Sequence, residues 1–295
     1  MQTYMPEAGV EVHLHPFLGN YRVVDIVQAM RRRNLSAIAL EILDDEINDR
    51  VAKEARQFYP NMLEDEYGMR LATGEVLFRG REYSTAEGFH ILTVGYSDRT
   101  ATKDTEIRRI IDAGLEHNAF VLLDHIFVDN VYTRTAGHID GRLEEEVENL
   151  CREYSGKIAL EWNGYCVPWM RKVLQEIVRV GSIVKPEFKG RGEYHDVNKK
   201  SIELSQRLIE EGYNVPIIAD TDLHARSKHL LDAMGTARFT VDLRGESPEE
   251  ILASMKGEIF AGRHKNQFEY VSMWHMLEAF CFPILFPKLF PKPRS

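Results

Sequence analysis

Cysteine is scarce in this chain: Cys151, Cys166 and Cys281 are the only three in 295 residues. Their number is odd and none stands in a CxxC pair, which argues against a disulfide framework and for reduced thiols. Positive charge is also short. Lys and Arg number 37 against 46 Asp and Glu, giving a net charge of −9 and a pI of about 5.7. A polyanion surface would need a local basic patch, because the bulk field does not favour one. No apolar run reaches the roughly 18–20 residues of a spanning helix. The tail FCFPILFPKLFPKPRS comes nearest, but four prolines, Lys288 and Lys292 break it. Its Phe and Leu residues suit docking on the domain surface, with a membrane or a partner as the other options. The opening MQTYMPEAGV has neither a basic nor an apolar leader, so the expected location is the cytoplasm. There is no repeat and no low-complexity linker.

What is present is ample core material, with 44% apolar residues, and a regular alternation of short apolar runs with helical patterns. GVEVHL, SAIALEI, AFVLLDH, KIALEW and VPIIAD read as strands. YRVVDIVQAMRRRN, DDEINDRVAKEARQFY and the stretches near 105–118, 142–154, 167–180 and 197–211 read as helices. A hairpin spans LATGEVLFRGREYSTAEGFHILTVGY, turning at AEG. RFTVDL is a further strand, and SPEEILASMK begins a helix with a serine cap and a proline in its first turn. The alternation implies an α/β fold with a mainly parallel sheet, and with this many units a barrel. One domain over 1–265 is the economical division, followed by a C-terminal helix and Pro/Phe-rich tail over 266–295.

The polar residues gather where a barrel carries its chemistry, at the C-terminal ends of strands. His13 and His15 close the first strand, in EVHLHP. A period of two puts them on one face, about 6.6 Å apart along the strand. They are either satisfied polar side chains or two ligands that converge on one cation. Glu82 in GREYS, His90 in GFHIL, His125 in FVLLDH, Glu161 and Asn163 in IALEWN, and Asp220, Asp222 and His224 in PIIADTDLH occupy further strand ends. Buried together, such groups need a cation or a dense hydrogen-bond network.

These pieces, in this order, resemble the PHP family, named for polymerase and histidinol phosphatase. HLH followed by Pro16 is similar to its opening HxH, GREYS to its Gly-x-Glu, and FHILTVGY and VLLDHI to its next two histidine strands. ADTDLH is similar to its closing GSDAH. The resemblance runs from about residue 9 to about residue 262. It implies a distorted (β/α)7 barrel with up to three divalent metals. Carried over, His13, His15, Glu82 and Asp222 hold a first ion, and Glu82 bridges to a second held by His90 and His125. The chain departs from the pattern in AIALEILDD, where Ile42 and Leu43 stand in place of a metal-binding Asp and His. The loop PFLGNYR also lacks a further ligand. Only His224 is left of a third site. Glu41, Asp44 or Asp45 could restore it only with a slip of register. Asp220, in the place of a glycine, either orients a ligand histidine or caps the next loop.

The resemblance implies metal-dependent hydrolysis of a phosphate ester, a small phosphomonoester or phosphodiester, by a hydroxide bridging two divalent ions. Zn, Mn or Fe suits the ligands, and a third ion stays open. Asp222 and His224 are the expected catalytic residues, His224 as a general acid or a remaining ligand. Lys189 and Arg191, in KPEFKGRGEYH, and Arg263, in FAGRHK, are candidates for gripping phosphate, since Arg can hold it bidentately. Glu161 and Asn163 match an E-x-N pair that shapes the substrate pocket. The acidic pI favours a small phosphorylated substrate over nucleic acid, which stays open, as does the oligomeric state. Two rival readings are a catalytically impaired barrel that binds or regulates and a C–N hydrolase of the amidohydrolase kind. The second lacks the strand-end lysine that such a site carboxylates.

Overall fold

The structure is a computed structural model that describes residues 4–16, 20–41, 45–98, 100–102, 104–124, 126, 141–167 and 196–281. A run buried from Ala8 onward makes β1 (Tyr4–Pro16) the axis of the sheet. From β1 the sheet passes through β2 (Leu35–Glu41), β5 (Val76–Ser84), β6 (His90–Val94), β7 (Phe120–Asp124), β8 (Ile158–Asn163) and β9 (Ile217–Asp220). On the other side of β1 lie β11 (Arg238–Arg244) and β12 (Lys265–Gln267), while β10 (Leu223–Ala225) pairs with the end of β1. A short ladder, β3 (Leu63–Glu64) and β4 (Gly68–Arg70), extends from β5.

The sheet is an α/β barrel, nearly closed, but it is not mainly parallel as the alternation suggested. β1–β2, β2–β5, β7–β8, β8–β9 and β1–β10 are parallel. The pairings β5–β6, β6–β7, β1–β11 and β11–β12 are antiparallel, as are those of the short ladder. For β5–β6 the reason is the length of the connection. β5 and β6 are joined by a tight turn in which the Thr85 and Gly88 amides donate to Phe89 O and Thr85 O at 2.9 and 3.0 Å. Gly88 takes φ +88° there. So short a link leaves no room for a crossover helix. The barrel closes through a side chain: Asn266 on β12 accepts from Ala219 N at 2.9 Å and donates to Ile217 O at 2.8 Å, tying β12 to β9. The boundary drawn after residue 265 therefore falls inside a strand.

Helices cover the outside. The buried face of α1 (Val23–Arg32), with Val23, Ile26, Val27 and Met30, packs with Leu14, Ile38 and Leu40. On the far side α3 (Ile107–Glu116), α4 (Gly141–Glu153) and α5 (Val197–Glu210) bury Ile110, Leu150 and Leu204 with Val121, Leu123 and Leu160. The N-terminus of α6 (Pro248–Phe260) carries the expected cap: Glu250 N donates to Ser247 Oγ at 3.2 Å and Glu250 reaches back to the Ser247 amide. Its Ile251, Leu252, Met255 and Ile259 join the core cluster of Phe78, Phe120 and Phe239 and close the lower end of the barrel. Among the described residues no helix is long and apolar enough to cross a membrane. Residues 167–180, read as a helix, and the tail from 282 lie mostly or wholly outside the described residues.

Strand alternation positions the site. Ala37 and Ala39 on β2, Leu122 on β7, Ala159 on β8 and Ile218 on β9 belong to the inner cluster. Two residues further along the same faces stand Glu41, Asp124, Glu161 and Asp220. Successive side chains on a strand point to opposite faces, so each strand carries apolar residues deep in the barrel and an ionisable one at its mouth.

Candidate metal centre

The end of β1 contributes Glu11, His13 and His15, all buried. His13 Nε2 and His15 Nε2 lie 2.9 Å apart, and each is 3.4 Å from Asp222 Oδ1. Three donor atoms so converge on one point. Bonds of about 2.0–2.1 Å to a tetrahedral ion place its ligand atoms about 3.3 Å from one another, close to the two longer separations. Asp222 is brought in by a left-handed backbone, φ +54°, which is uncommon for a residue with a side chain. The turn is braced by Glu11, whose Oε1 accepts from Thr221 N at 2.9 Å and Oε2 from Gly235 N at 3.1 Å.

Buried hydrogen bonds fix the orientations. His13 Nδ1–H donates to Glu161 Oε1 at 2.9 Å, leaving Nε2 as the atom turned to His15, and Asp124 Oδ1 lies 3.4 Å from the same Nδ1. Carboxylate–histidine pairs of this kind set the tautomer and basicity of a ligand imidazole. Asn163 Nδ2 donates to Asp222 Oδ2 at 2.9 Å and to Glu161 Oε2 at 3.2 Å. Asn163 is itself gripped by Asn198, which accepts from its amide and donates to its carbonyl, both at 2.9 Å. Glu161 and Asn163, expected to shape a substrate pocket, thus hold His13 and Asp222 in place.

Glu82 lies across the mouth. Its Oε2 is 3.4 Å from His15 Nε2, and its Oε1 makes a short contact with His90 Nδ1. The geometry defines three groups of donors whose atoms lie within 4.8 Å of one another: His13, His15 and Asp222; His13, Asp124 and Glu161; and Glu82, His90 and Asp124. His224 lies against His15, with ring centroids 4.3 Å apart and the rings tilted by 45°, and its Nδ1 lies 3.0 Å from Asp222 O.

Charge balance tests whether cations fit. Histidines contact the carboxylates of Glu82, Asp124, Glu161 and Asp222. Both oxygens of Glu41 and of Asp220 are buried without a hydrogen-bond partner. Burial pushes the Glu161 carboxyl up to about 8, helped by Asp124, and the Glu11 carboxyl up to about 7 against the Thr221 hydrogen bond. Burial also holds Glu41 well above the usual carboxylate range; His13 opposes this and Glu82 adds to it. Burial works against charge on His13, but Asp124 and Asp222 outweigh it and hold its pKa well above the usual value. His15 goes the other way, lowered by burial and by His224. Burial raises Asp222, yet His13 and His224 carry it well below the ordinary range. Carboxylates that crowd a buried space and favour positive charge within it fit divalent cations.

His13, His15, Glu82, His90, Asp222 and His224 lie together at the barrel mouth. His125, Lys189 and Arg191 lie outside the described residues, as do Ile42 and Leu43. Arg263 forms a bidentate pair with Glu258 at 2.7 and 3.0 Å on the exposed end of α6, with no bond to this cluster. Sequence reasoning passed over Glu11, Asp124 and Asn198. The first two could have been found by stepping two residues from His13 and from Leu122. Asn198 is on a helix, and nothing in its local sequence marks it.

Comparison with solved structures finds similar chains at low identity. PsfC from Pseudomonas syringae is 12% identical with a TM-score of 0.51, covering 97% of this chain and 100% of that one. A two-domain protein from Bacteroides vulgatus, described as containing a predicted PHP-like metal-dependent phosphoesterase, is 14% identical with a TM-score of 0.49 over 91% of this chain and 66% of that one. The lesion-specific endonuclease PfuEndoQ from Pyrococcus furiosus is 14% identical with a TM-score of 0.48, over 90% and 58%. The likeness to PsfC is one of fold alone. No protein-family model matches the chain, and neither does any curated protein.

Proposed function

We propose that this chain is a metal-dependent phosphoesterase acting on a small phosphorylated substrate, a phosphomonoester or a phosphodiester. The observation that carries this reading is the division of Glu82, which turns one oxygen to His15 and the other to His90. One carboxylate then serves two donor sets. His13, His15 and Asp222 would hold one divalent ion, and Glu82 with His90 a second, with Zn, Mn or Fe as the candidates. Bound there, two such ions would neutralise phosphoryl oxygens and lower the pKa of a water nucleophile.

The chain's own residues prepare that chemistry. Glu161 accepts a hydrogen bond from His13 Nδ1–H and keeps Nε2 toward the ion position. Asn163 holds Asp222 by Oδ2, so Oδ1 faces the two histidines. With Nδ1–H of His224 donating to Asp222 O, the imidazolium form would pass its Nε2 proton to the leaving oxygen and be left as the neutral Nδ1–H ring. His224 is about a quarter exposed, as a group meeting substrate should be. The negative net charge supports a small substrate over a nucleic-acid track.

The test is turnover of a panel of phosphomonoesters and phosphodiesters with Mn or Zn added. Hydrolysis should stop on chelation and in Glu82→Gln, which keeps shape and removes the shared charge. Two bound ions with no hydrolysis across the panel would favour the impaired, binding-module reading instead.

A further inference from the structure

We propose that Asp124 is a ligand of the second metal position and makes it the harder of the two. This deepens the dinuclear reading and rests on it. In the antiparallel pairing of β6 with β7, His90 stands directly opposite Asp124, so their side chains share a face. That face is the inner one, since Phe120 and Leu122 precede Asp124 on it at the period of two. Asp124 is fully buried at the strand end. Its carboxylate, that of Glu82 and the His90 imidazole each offer an atom within 4.8 Å of the other two. Asp124 Oδ1 also lies 3.4 Å from Nδ1 of His13, the ring whose Nε2 faces the first position. Asp124 thus stands between the two donor sets, where the sequence reading had placed His125.

The chemical consequence lies in the ligand types. The first position is served by two imidazoles, Asp222 and the shared Glu82, and its second imidazole suits zinc. The second is served by one imidazole and two carboxylates, Glu82 and Asp124. Oxygen-rich sets suit harder ions such as Mn2+, whereas imidazole suits Zn2+ among others. The two positions therefore prefer different ions, and Asp124 sets the difference.

The experiment titrates metal-stripped protein with Mn2+ and with Zn2+ by calorimetry, counting bound Mn2+ by electron paramagnetic resonance. Wild type is expected to take up two equivalents. Asp124→Asn should keep the first and weaken Mn2+ at the second by at least about tenfold, the smallest loss seen even for indirect support of a ligand. Asp124→His should keep two positions and shift the second toward Zn2+. His125→Ala should leave Mn2+ uptake unchanged. Asp124→Glu, which retains the carboxylate, should retain Mn2+ at the second position, and it decides the matter if Asp124→Asn does not fold. Two ions bound by Asp124→Asn as tightly as by wild type, or loss of the second ion in His125→Ala alone, would overturn this inference and leave the dinuclear reading standing. No uptake of either metal by wild type would overturn both.

Discussion

The floor and the mouth of the barrel interior are built by the same strands under the same alternation, yet they have opposite chemistry. The floor holds Phe78, Phe120 and Phe239 sealed by Ile251, Leu252 and Met255 of α6. The mouth holds Glu41, Asp124, Glu161 and Asp220 on the continuation of those faces, together with the histidines. Burial stabilises the floor, because apolar area leaves water at a gain of roughly 25 cal/mol per Å2. The same burial strains the mouth, where it raises the carboxyls of Glu41, Glu161 and Asp220. One half of the core supplies the stability that lets the other hold unfavourable charge.

That contrast can be broken most sharply at the floor. Phe78 is 1% exposed, and Phe78→Ala should cost about 3–5 kcal/mol of unfolding free energy. The folded fraction should still take up its full complement of metal, as chemical denaturation and metal counting would check.

Next in size is a pH effect confined to the mouth. Glu11 titrates in the folded chain at about 7 and Glu161 at about 8, both raised above the ordinary carboxylate value. The stability they contribute is complete below that ordinary value and is lost as pH rises through about 7 and 8. His13, also raised, works in the same direction; the lowered His15 opposes it below its ordinary value, and the depressed Asp222 matters only at acid pH. Chelated protein should therefore melt at a lower temperature at pH 8 than at pH 5, and added divalent metal should flatten the slope. A melting temperature in chelator that rises over this range would contradict the assignment of strain to the mouth.

The border between the halves is probed at Gly80. A Cβ there would stand 2.1 Å from Glu41 Oε1, and the buried Glu41 has little space to yield. Gly80→Ala should cost about 1–3 kcal/mol as overpacking and reduce metal uptake as well. A loss of stability with metal affinity intact would place Glu41 outside the site. The smallest effect is expected at the seam. Asn266→Ala removes both bonds between β12 and β9 and should cost about 1–2 kcal/mol, read by denaturation, with metal stoichiometry unchanged.

The strands, most helices and the order of ligands could be read from local pattern. EVHLHP places His13 and His15 on one face by period alone, and the cap at Ser247 is visible in SPEE. The antiparallel β5–β6 hairpin was legible in its AEG turn, but the other antiparallel pairings were not, because helical spacing between strands gives no direction of pairing. Asp124 was passed over because two adjacent polar residues at a strand end look alike until the floor residues Phe120 and Leu122 show that Asp124 continues the inner face.

The sequence by itself thus determined which residue types are available at each strand end, because alternation and capping are properties of neighbours along the chain. Only the tertiary structure decided that Glu82 faces both His15 and His90, that Asn198 grips Asn163, and that Glu11 braces the turn carrying Asp222. Those contacts join residues 8 to 210 positions apart. Their geometry follows from how the sheet curls and closes, which no local stretch of sequence encodes.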